Sequence, residues 1–427
     1  MPVFSPQPIW SLVILLTVTS GLSTQLAFAD ELPTREILEA IFPNGEMPQK
    51  PRVQIGISFA EDEDHTDAAC GLKRVDLIET KGDERRRFGL LVDPVGSTPV
   101  DPATFLVKLS RLTVDIDGSG RAYHPEDPTG TGVCSEVKER GTTSLQGICA
   151  LAPLSSAEVR VFRGTEHLRI FEKGKSNPDF ASAWSDIWDS IKARQLHRID
   201  LKGLVSDAAA EKSALFYSKG NNTAVVFDTH IIPFRNDYPC LHERTPYEGY
   251  FVAATTLRRY RPRMRVDACD PSQFLDAQRI PFVVVPENVF GNVALGDIVV
   301  GYARVGQEDR LVYGIVGDTG PTGQIGEASI AFVSRLLNHR GEPMNASAVS
   351  ELDVDLEKPD AEHRDISSVA ILVIGKTAKL LRGNYSPGNI ERTGKRAFAK
   401  WAGAVGAQRL TSCVENAKAN PLKGSPE

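Results

Sequence analysis

Five short apolar segments between residues 223 and 316 constrain the fold of this chain more than any other feature. They are rich in β-branched residues, and Gly, Pro and Asn separate them: 223–227, 250–256, 280–286, 297–305 and 311–316. Short β-branched segments bounded by such turn residues are typical of strands. Their close succession predicts a barrel or a sandwich of β-strands.

Other segments add strands and a few helices to this core. Further strands are predicted at 87–92, 103–109, 112–117 and 369–374. Helices are predicted at 34–42, 178–195, 327–337 and 387–403. Trp184 and Trp188 are four positions apart in the second helix, a spacing that indicates a packing stripe. We therefore predict a mainly β, barrel-like core, for which a double-psi barrel is one candidate, with peripheral helices and an α+β class overall.

The first 29 residues carry no charged side chain and contain an apolar run that ends before Ala27-Phe28-Ala29. This order is typical of a cleaved signal peptide, and the run is shorter than the roughly 20 apolar residues of a membrane span. We expect a secreted or periplasmic protein with no membrane partner after the leader is removed. The chain then divides into a signal peptide at 1–29, an N-terminal extension at 30–85, one large domain at 86–415 and a tail at 416–427.

Six cysteines follow the leader, and an even number in an exported chain predicts disulfides. The pairs that are local in sequence are Cys134 with Cys149 and Cys240 with Cys269. Cys413 has partners only far upstream, which predicts that the tail packs on the large domain. No CxxC motif or Cys/His cluster has the spacing of zinc ligands, so we predict neither a metal nor a cofactor.

The net charge of −6 argues weakly against a nucleic-acid partner. The stretch from Arg258 to Arg265 contains five arginines, but only Tyr260 lies among them. Nucleic-acid binding would need interleaved aromatic residues and a basic domain. An alternating strand with a solvated charged face explains the stretch at least as well.

The sharpest candidate for chemistry is the segment from Tyr313 to Ser329. A predicted strand ends at Asp318, a glycine-rich loop follows, and Glu327 opens a predicted helix. Glycosidic bond cleavage needs two carboxyl groups, one that protonates the leaving oxygen and one that activates water or attacks carbon. By spacing alone this signal is weak, because acids are common after strands and at helix starts.

Several segments together resemble glycoside hydrolase family 75, the fungal-type chitosanases. In chain order they are Asp117–Pro128, Gly249–Leu257, Ile280–Pro286, Leu295–Val300, Val312–Pro321 and Ile325–Ala331. The resemblance covers roughly residues 100 to 340. It implies endo-hydrolysis of β-1,4 bonds in chitosan or a related amino-sugar polysaccharide, with inversion at the anomeric carbon. It implies Asp318 and Glu327 as the catalytic pair, and it makes 86–415 the catalytic domain.

The resemblance also implies a substrate groove bordered by Asp117, Tyr123, His124 and Thr319. Residues 135–220 and the arginine stretch depart from the family, which leaves the substrate open between cationic, neutral and acidic glycans. A non-catalytic glycan-binding protein on the same scaffold is the alternative. Within the pair, we expect Glu327 to be the base, ionised by the helix dipole, and Asp318 to be the acid, held protonated by desolvation.

Two other patterns suggest less. The spacing of Asp115, Asp117, Ser119 and Glu126 matches a calcium-binding EF-hand loop, but the residues before it predict a strand where that motif requires a helix. A turn that borders the substrate groove and an ordinary Asp/Gly turn are the other readings. His124, His230 and His242 have no ligand spacing, which favours structural roles.

Overall fold

The computed structural model describes most of the chain beyond residue 54. The described residues are 55–66, 70–81, 84–93, 103–124, 135–139, 142–146, 160–163, 166–169, 171–172, 175–176, 178–199, 213–218, 223–259, 267–286, 292–320, 325–337, 354–359, 363–417, 419–420 and 425–426. The predicted signal peptide, the helix at 34–42, the Cys134–Cys149 pair and residues 260–266 of the arginine stretch lie outside them.

Strands contribute more residues to the described backbone than helices do. The strands are β1 (Ile55–Thr66), β2 (Lys73–Lys81), β3 (Glu84–Val92), β4 (Thr104–Leu109), β5 (Arg111–Asp115), β6 (Ser135–Glu139), β7 (Thr142–Gln146), β8 (Arg160–Arg163), β9 (Glu166–Arg169), β10 (Phe171–Glu172), β11 (Lys175–Ser176), β12 (Leu196–Ile199), β13 (Ser213–Ser218), β14 (Thr223–Asp228), β15 (Phe234–Arg235), β16 (Tyr238–Pro239), β17 (Phe282–Pro286), β18 (Ile298–Val305), β19 (Glu308–Gly320), β20 (Glu327–Ser329), β21 (Val354–Asp355), β22 (Ile366–Ile374), β23 (Ala419–Asn420) and β24 (Ser425–Pro426).

The helices are few. The α-helices are α1 (Pro178–Lys192), α2 (Ile330–Leu336), α3 (Pro387–Ala402) and α4 (Ala407–Asn416), and short 3-10 helices span Pro271–Gln273, Ala378–Leu381 and Gly403–Val405. The mainly β composition and the α+β class predicted from the sequence are confirmed. The predicted strand at 250–256 is wrong, because Phe251 makes isolated bridges with Tyr123 and Leu241 instead of entering a ladder.

One mixed sheet of thirteen strands organises the molecule. Its order is β1-β2-β3-β4-β22-β18-β19-β17-β20-β5-β21, while β23 pairs with β4 and β24 with β3. Most neighbours are antiparallel, but β17 with β19, β20 with β5 and β23 with β4 are parallel. Because β1 and β21 end this order without pairing with each other, the described sheet is open and does not close into the barrel that the sequence suggested.

Helices α2 and α3 pack on the centre of this sheet. Phe332 of α2 lies against Gly301 and Gly314, where an added Cβ would approach its ring to 2.5 and 2.9 Å. On α3, Gly394 brings the helix backbone close to Tyr313, whose ring contacts Phe398. Glycines at these contacts therefore let both helices approach the strands that lead to the candidate site.

A smaller antiparallel sheet, in the order β12-β13-β14-β8-β9, packs with α1. Trp188 of α1 is buried, and its ring contacts His124 and Phe251. The packing role predicted for Trp188 is confirmed. The core of this smaller sheet is continuous with that of the large sheet, since Phe227 of β14 also contacts Phe251.

Two disulfides join distant parts of the described chain. Cys240 bonds Cys269, as the sequence predicted, and Cys70 bonds Cys413 of α4. The predicted boundary between residues 85 and 86 falls inside β3, and β1 and β2 belong to the large sheet. Among the described residues, no helix has both the length and the apolar character to cross a membrane.

Candidate functional site

Asp318 and Glu327 lie on the two strands that flank β17. The parallel pairing of β17 with β19 matches Val284 with Asp318, and the antiparallel pairing of β17 with β20 matches Val283 with Ala328. Val284 is therefore level with both acids. Residues that are level on neighbouring strands have side chains on the same face of a sheet. The two acids thus belong to one face, with their backbones about 10 Å apart, or two strand spacings.

Gly320 of β19 leaves the space beside Glu327 free of a side chain. An ideal Cβ at Gly320 would lie 3.9 Å from Oε2 of Glu327 and 3.0 Å from Cγ1 of Val284. The carboxylate of Glu327, on a half-buried side chain, therefore extends toward the end of β19. Strand β19, which carries Asp318, thus has no side chain at Gly320, the position that faces this carboxylate.

Within the described part of the chain, Asp318 accepts hydrogen bonds only at its Oδ1 atom. Oδ1 accepts hydrogen bonds from the backbone N–H of Thr256 at 3.1 Å, the hydroxyl of Thr256 at 2.5 Å and the backbone N–H of Thr319 at 2.7 Å. Oδ2 is buried and has no hydrogen-bond partner among the described residues. Unpaired buried polar atoms are uncommon in native proteins and call for an explanation. A ligand atom hydrogen-bonded to Oδ2 would supply one.

Burial raises the pKa of Asp318 to about 6. The donors from Thr256 and Thr319 and the nearby charge of His230 act in the opposite direction, because they stabilise the carboxylate. Only 7% of the residue is exposed. The desolvation of the charged form therefore outweighs three favourable hydrogen bonds.

Two further acids complete a cluster of four carboxyl groups, which we call the acid cluster: Asp115, Asp117, Asp318 and Glu327. Asp115 ends β5, whose parallel pairing with β20 matches Thr113 with Glu327. Side chains alternate along a strand, so Asp115 is on the same face as Glu327. Burial and then the charges of the other three acids raise the pKa of Asp115 well above its usual range.

Asp117 occupies the turn after β5. Its Oδ1 accepts a hydrogen bond of 2.6 Å from the hydroxyl of Tyr123, and its backbone N–H donates to Oδ1 of Asp115 at 2.8 Å. Burial and the charge of Asp318 raise the pKa of Asp117, although the hydrogen bond from Tyr123 lowers it. Tyr123 itself is fully buried, with its phenol pKa raised by burial. Tyr123 therefore positions Asp117 and does not line an open groove.

The turn that carries Asp117 is fixed against the segment that holds Asp318. Gly118 has a φ of +78°, and an added Cβ would lie 1.6 Å from the carbonyl oxygen of Leu275. The backbone N–H of Leu275 binds the hydroxyl of Thr255, and that of Leu257 binds the carbonyl of Gly317. The acid cluster is therefore supported by β5, β19, β20 and the 250–257 segment together.

The three histidines lie in different surroundings. His124, predicted at the groove, packs its half-buried ring against Trp188 and Tyr250, with centroids 5.3 and 4.7 Å apart. His230 is exposed, with Nδ1 3.5 Å from Oδ1 of Asp228. His242 is half-buried, and burial lowers its pKa. Of the three, His230 is the one whose charge acts on Asp318.

Glu327 does not open a helix, which corrects the sequence prediction. It belongs to β20, and α2 begins only at Ile330. Ser329 caps that helix by accepting a hydrogen bond from the backbone N–H of Phe332 at 3.2 Å. Serine is among the residues most favoured at the N-cap of a helix, which fixes the start of α2 after Ser329. The helix dipole acts mainly within the first turn, so it gives no reason for Glu327 to be ionised.

The remaining predicted residues are placed as follows. Thr319 is next to Asp318, and its hydroxyl is 2.9 Å from that of Thr256. The strand before Asp115 contradicts an EF-hand, which needs a helix there, and Glu126 lies outside the described residues. Within the described part of the chain, no three or more His, Cys, Asp or Glu side chains are grouped so that they could hold a metal ion.

Sequence reasoning missed Thr256 as a site residue. Thr256 was read as the end of a strand, and its contact with Asp318 joins positions 62 residues apart. In comparisons with known proteins, no protein-family model matches this chain. No curated protein matches it either.

Proposed function

We propose that the protein is an endo-acting glycoside hydrolase that uses Asp318 and Glu327 as its carboxyl pair. The observation that supports this most directly is the buried Oδ2 of Asp318, which has no partner among the described residues and lies on the same sheet face as the carboxylate of Glu327. An acid and a base on opposite sides of a glycosidic bond are what hydrolysis requires. The resemblance of the motifs to family 75 chitosanases supports the same reaction.

Asp318 is suited to the role of general acid. Its Oδ1 already accepts three hydrogen bonds, so a proton is expected on Oδ2. With a pKa of about 6, the group is protonated in mildly acidic solution. In the proposed step, Oδ2 transfers this proton to the glycosidic oxygen as the bond between that oxygen and the anomeric carbon breaks.

Glu327 is the complementary base. In the same step its carboxylate accepts a proton from a water molecule, whose oxygen attacks the anomeric carbon. Inverting enzymes hold their carboxyl groups about 6.5–9.5 Å apart, whereas retaining enzymes hold them about 5–5.5 Å apart. The resemblance implies the wider arrangement, and backbones about 10 Å apart across β17 are compatible with it. We therefore propose inversion.

The proposed substrate is chitosan or a related amino-sugar polysaccharide. The resemblance points to these substrates, and the carboxylate of Glu327 would attract a protonated amine electrostatically. The two disulfides are typical of proteins from oxidising compartments, and with the leader-like first 29 residues they support a secreted or periplasmic location.

The test measures the reducing ends that purified mature protein releases from chitosan, chitin and peptidoglycan. Asp318→Asn and Glu327→Gln should each reduce the rate by at least about a hundredfold, since each removes a proton-transfer group. Glu308→Gln on β19 is the matched control, because it removes one exposed acid outside the cluster. Proton NMR of the first-formed anomer distinguishes inversion from retention.

Gly320→Ala tests the geometry separately. Its Cβ would lie 3.0 Å from Cγ1 of Val284, the residue level with both acids, and in contact with Oε2 of Glu327, so the rate should fall while both carboxyl groups are still present. If the wild-type protein releases no sugar from any of the three polymers, the hydrolase proposal is wrong. Retained binding to those polymers would then favour the alternative of a non-catalytic glycan-binding protein.

A further inference from the structure

We propose that the outer surface of α3 is a binding site for an anionic polysaccharide. We call this surface the basic face and define it by Arg392, Lys395, Arg396 and Lys400, all of which are exposed. This site is distinct from the acid cluster. Its ligand would be a linear glycan that carries carboxylate or sulfate groups at regular intervals.

Charge is distributed very unevenly along this chain. Residues 366–417 contain eight Lys or Arg and two Glu, although the whole chain has a net charge of −6. The remainder of the protein is therefore strongly acidic. Both glutamates of the segment are paired, Glu391 with Lys395 at 2.6 Å and Glu415 with Arg304 at 3.1 Å. The excess positive charge is thus concentrated in one region.

The geometry of α3 places these cations on one side. Its buried residues are Ile390, Thr393, Gly394, Ala397, Phe398, Trp401 and Ala402. At 100° per residue, Arg392, Arg396 and Lys400 succeed one another on the opposite side. Their backbones are about 6 Å apart along the axis, so the three span about 12 Å. A linear polymer with repeating charges could contact all three together.

These cations are largely available for a ligand. Arg396 and Lys400 form no ion pair with any described residue, and Arg392 binds only the neutral side chain of Asn389, at 3.3 Å. The 3-10 helix Ala378–Leu381 contacts α3 and adds the exposed Lys379. A solvated helix surface usually mixes the two signs of charge. This surface contains one acid, and that acid is already paired.

The composition of the surface favours a polysaccharide over the two other common anionic partners. Membrane binding needs an apolar face beside the cations, but Leu380 and Val405, the large exposed hydrophobic residues of the described chain, lie beyond opposite ends of α3. Nucleic-acid binding usually adds aromatic side chains that stack on bases. The exposed residues of α3 include none.

Binding should be local and dependent on salt. A protein of net charge −6 is repelled by polyanions at long range, so attraction must come from this surface. Neutralising a polyanion releases its counterions, which makes the logarithm of affinity fall linearly with the logarithm of salt concentration. Each cation that contacts the polymer contributes close to one unit to that slope.

The experiment compares dextran sulfate with uncharged dextran, which have the same backbone, by titration calorimetry at several salt concentrations. Polygalacturonate tests carboxylate in place of sulfate. The test variant is Arg392→Gln, Arg396→Gln and Lys400→Gln together, since Gln keeps the helix propensity high. The matched control, Arg244→Gln, Arg364→Gln and Lys358→Gln, removes three exposed charges elsewhere. Circular dichroism checks that both variants are folded.

We expect the wild-type protein to bind both charged polymers and not dextran. The test variant should bind at least about tenfold more weakly, with a slope smaller by roughly two to three, while the control variant binds like the wild type. Equal loss in both variants, or tighter binding to an oligonucleotide or to anionic vesicles than to the charged glycans, would overturn the proposal. Asp318→Asn should bind unchanged, which separates this site from the proposed hydrolase activity.

Discussion

At the scale of single residues, the two oxygens of Asp318 meet opposite conditions. Three donors converge on Oδ1, while Oδ2 is buried without a partner among the described residues. The donors favour the carboxylate and burial favours the acid. A pKa of about 6 is the balance between them. This balance can be measured without a substrate, because protonation is coupled to folding.

Asp318→Asn is expected to change how stability depends on pH. The folded-state pKa of about 6 is above the roughly 4 of an unfolded aspartate. The group therefore stabilises the fold fully below about pH 4, and this contribution is lost as pH rises through 6. Asn does not ionise, and its carbonyl can keep the three hydrogen bonds. Relative to wild type, the free energy of unfolding of the variant should increase by about 2 to 3 kcal/mol as pH rises from 4 to 7.

Urea unfolding at a series of pH values measures this gain. Asp309→Asn serves as the comparison, because hydrogen bonds from Arg304 lower the pKa of Asp309. The carboxylate of Asp309 stabilises the fold above the unfolded pKa, and this stabilisation is lost as pH falls. The stability of Asp309→Asn relative to wild type should therefore change with pH in the opposite direction to that of Asp318→Asn. Parallel curves for Asp318→Asn and wild type would contradict the elevated pKa.

Thr256→Val should raise the pKa of Asp318 further. The substitution removes the hydroxyl that donates to Oδ1 at 2.5 Å but keeps the backbone donor of the same residue. A hydrogen bond to a charged group is worth about 1.5–3 kcal/mol, so losing it disfavours the carboxylate. In the variant, the decline in stability should continue to a higher pH than in the wild type, as measured by the same unfolding series. Thr256→Ser keeps a hydroxyl and should behave like the wild type.

At the scale of elements, the turn after β5 connects two parts of the site. It places Asp117 beside Asp318, and the close approach of Gly118 to Leu275 locks it against the 250–257 segment. Gly118 needs both a positive φ and the absence of a side chain. Gly306 has a φ of +60° in open surroundings. The two glycines therefore separate the effect of the backbone angle from the effect of the contact.

Gly118→Ala should lower the free energy of unfolding by more than about 2 kcal/mol, whereas Gly306→Ala should lower it by about 1 kcal/mol. The difference arises because the Cβ at position 118 would meet a carbonyl oxygen at 1.6 Å, which forces the turn to move. Chemical denaturation of both variants measures it. Equal losses would mean that the turn can shift away from Leu275 without penalty.

Local sequence patterns predicted single elements better than their arrangement. The strands near 87–92, 103–109 and 369–374 and the helices at 178–195 and 387–403 are present because periodicity and turn residues act locally. The pairing of β20 with β5 joins residues more than 200 positions apart. No local pattern could indicate that pairing, nor that the sheet stays open.

The candidate site shows the same division. Asp318 and Glu327 could be proposed from a motif, and the structure places them on one face of the sheet. Thr256 could not be proposed, because its polar groups leave the predicted strand and bind Asp318 instead. The helix start at Glu327 was wrong because Ser329, two residues later, provides the better cap.

At the scale of the whole molecule, the two ends of the described chain meet in one sheet. Strands β1 and β2 extend its N-terminal edge, β23 pairs with β4, and Cys70 bonds Cys413 of α4. Arg409 of the same helix donates from Nε to the carbonyl of Cys70 at 2.8 Å and lies over the ring of Trp401. The C-terminal helices are therefore attached covalently to the strand region that precedes the predicted catalytic domain.

The disulfide between Cys70 and Cys413 should stabilise the protein more than the one between Cys240 and Cys269. A crosslink restricts the unfolded chain in proportion to the logarithm of the loop that it closes. The two loops span 343 and 29 residues, so the chain-entropy model gives upper values of about 6 and about 4 kcal/mol. Urea unfolding of Cys70→Ala with Cys413→Ala, and of Cys240→Ala with Cys269→Ala, measures the two losses. A larger loss for the second pair would show that native packing around Cys240, whose carbonyl accepts a hydrogen bond from the backbone N–H of Val252, outweighs loop entropy.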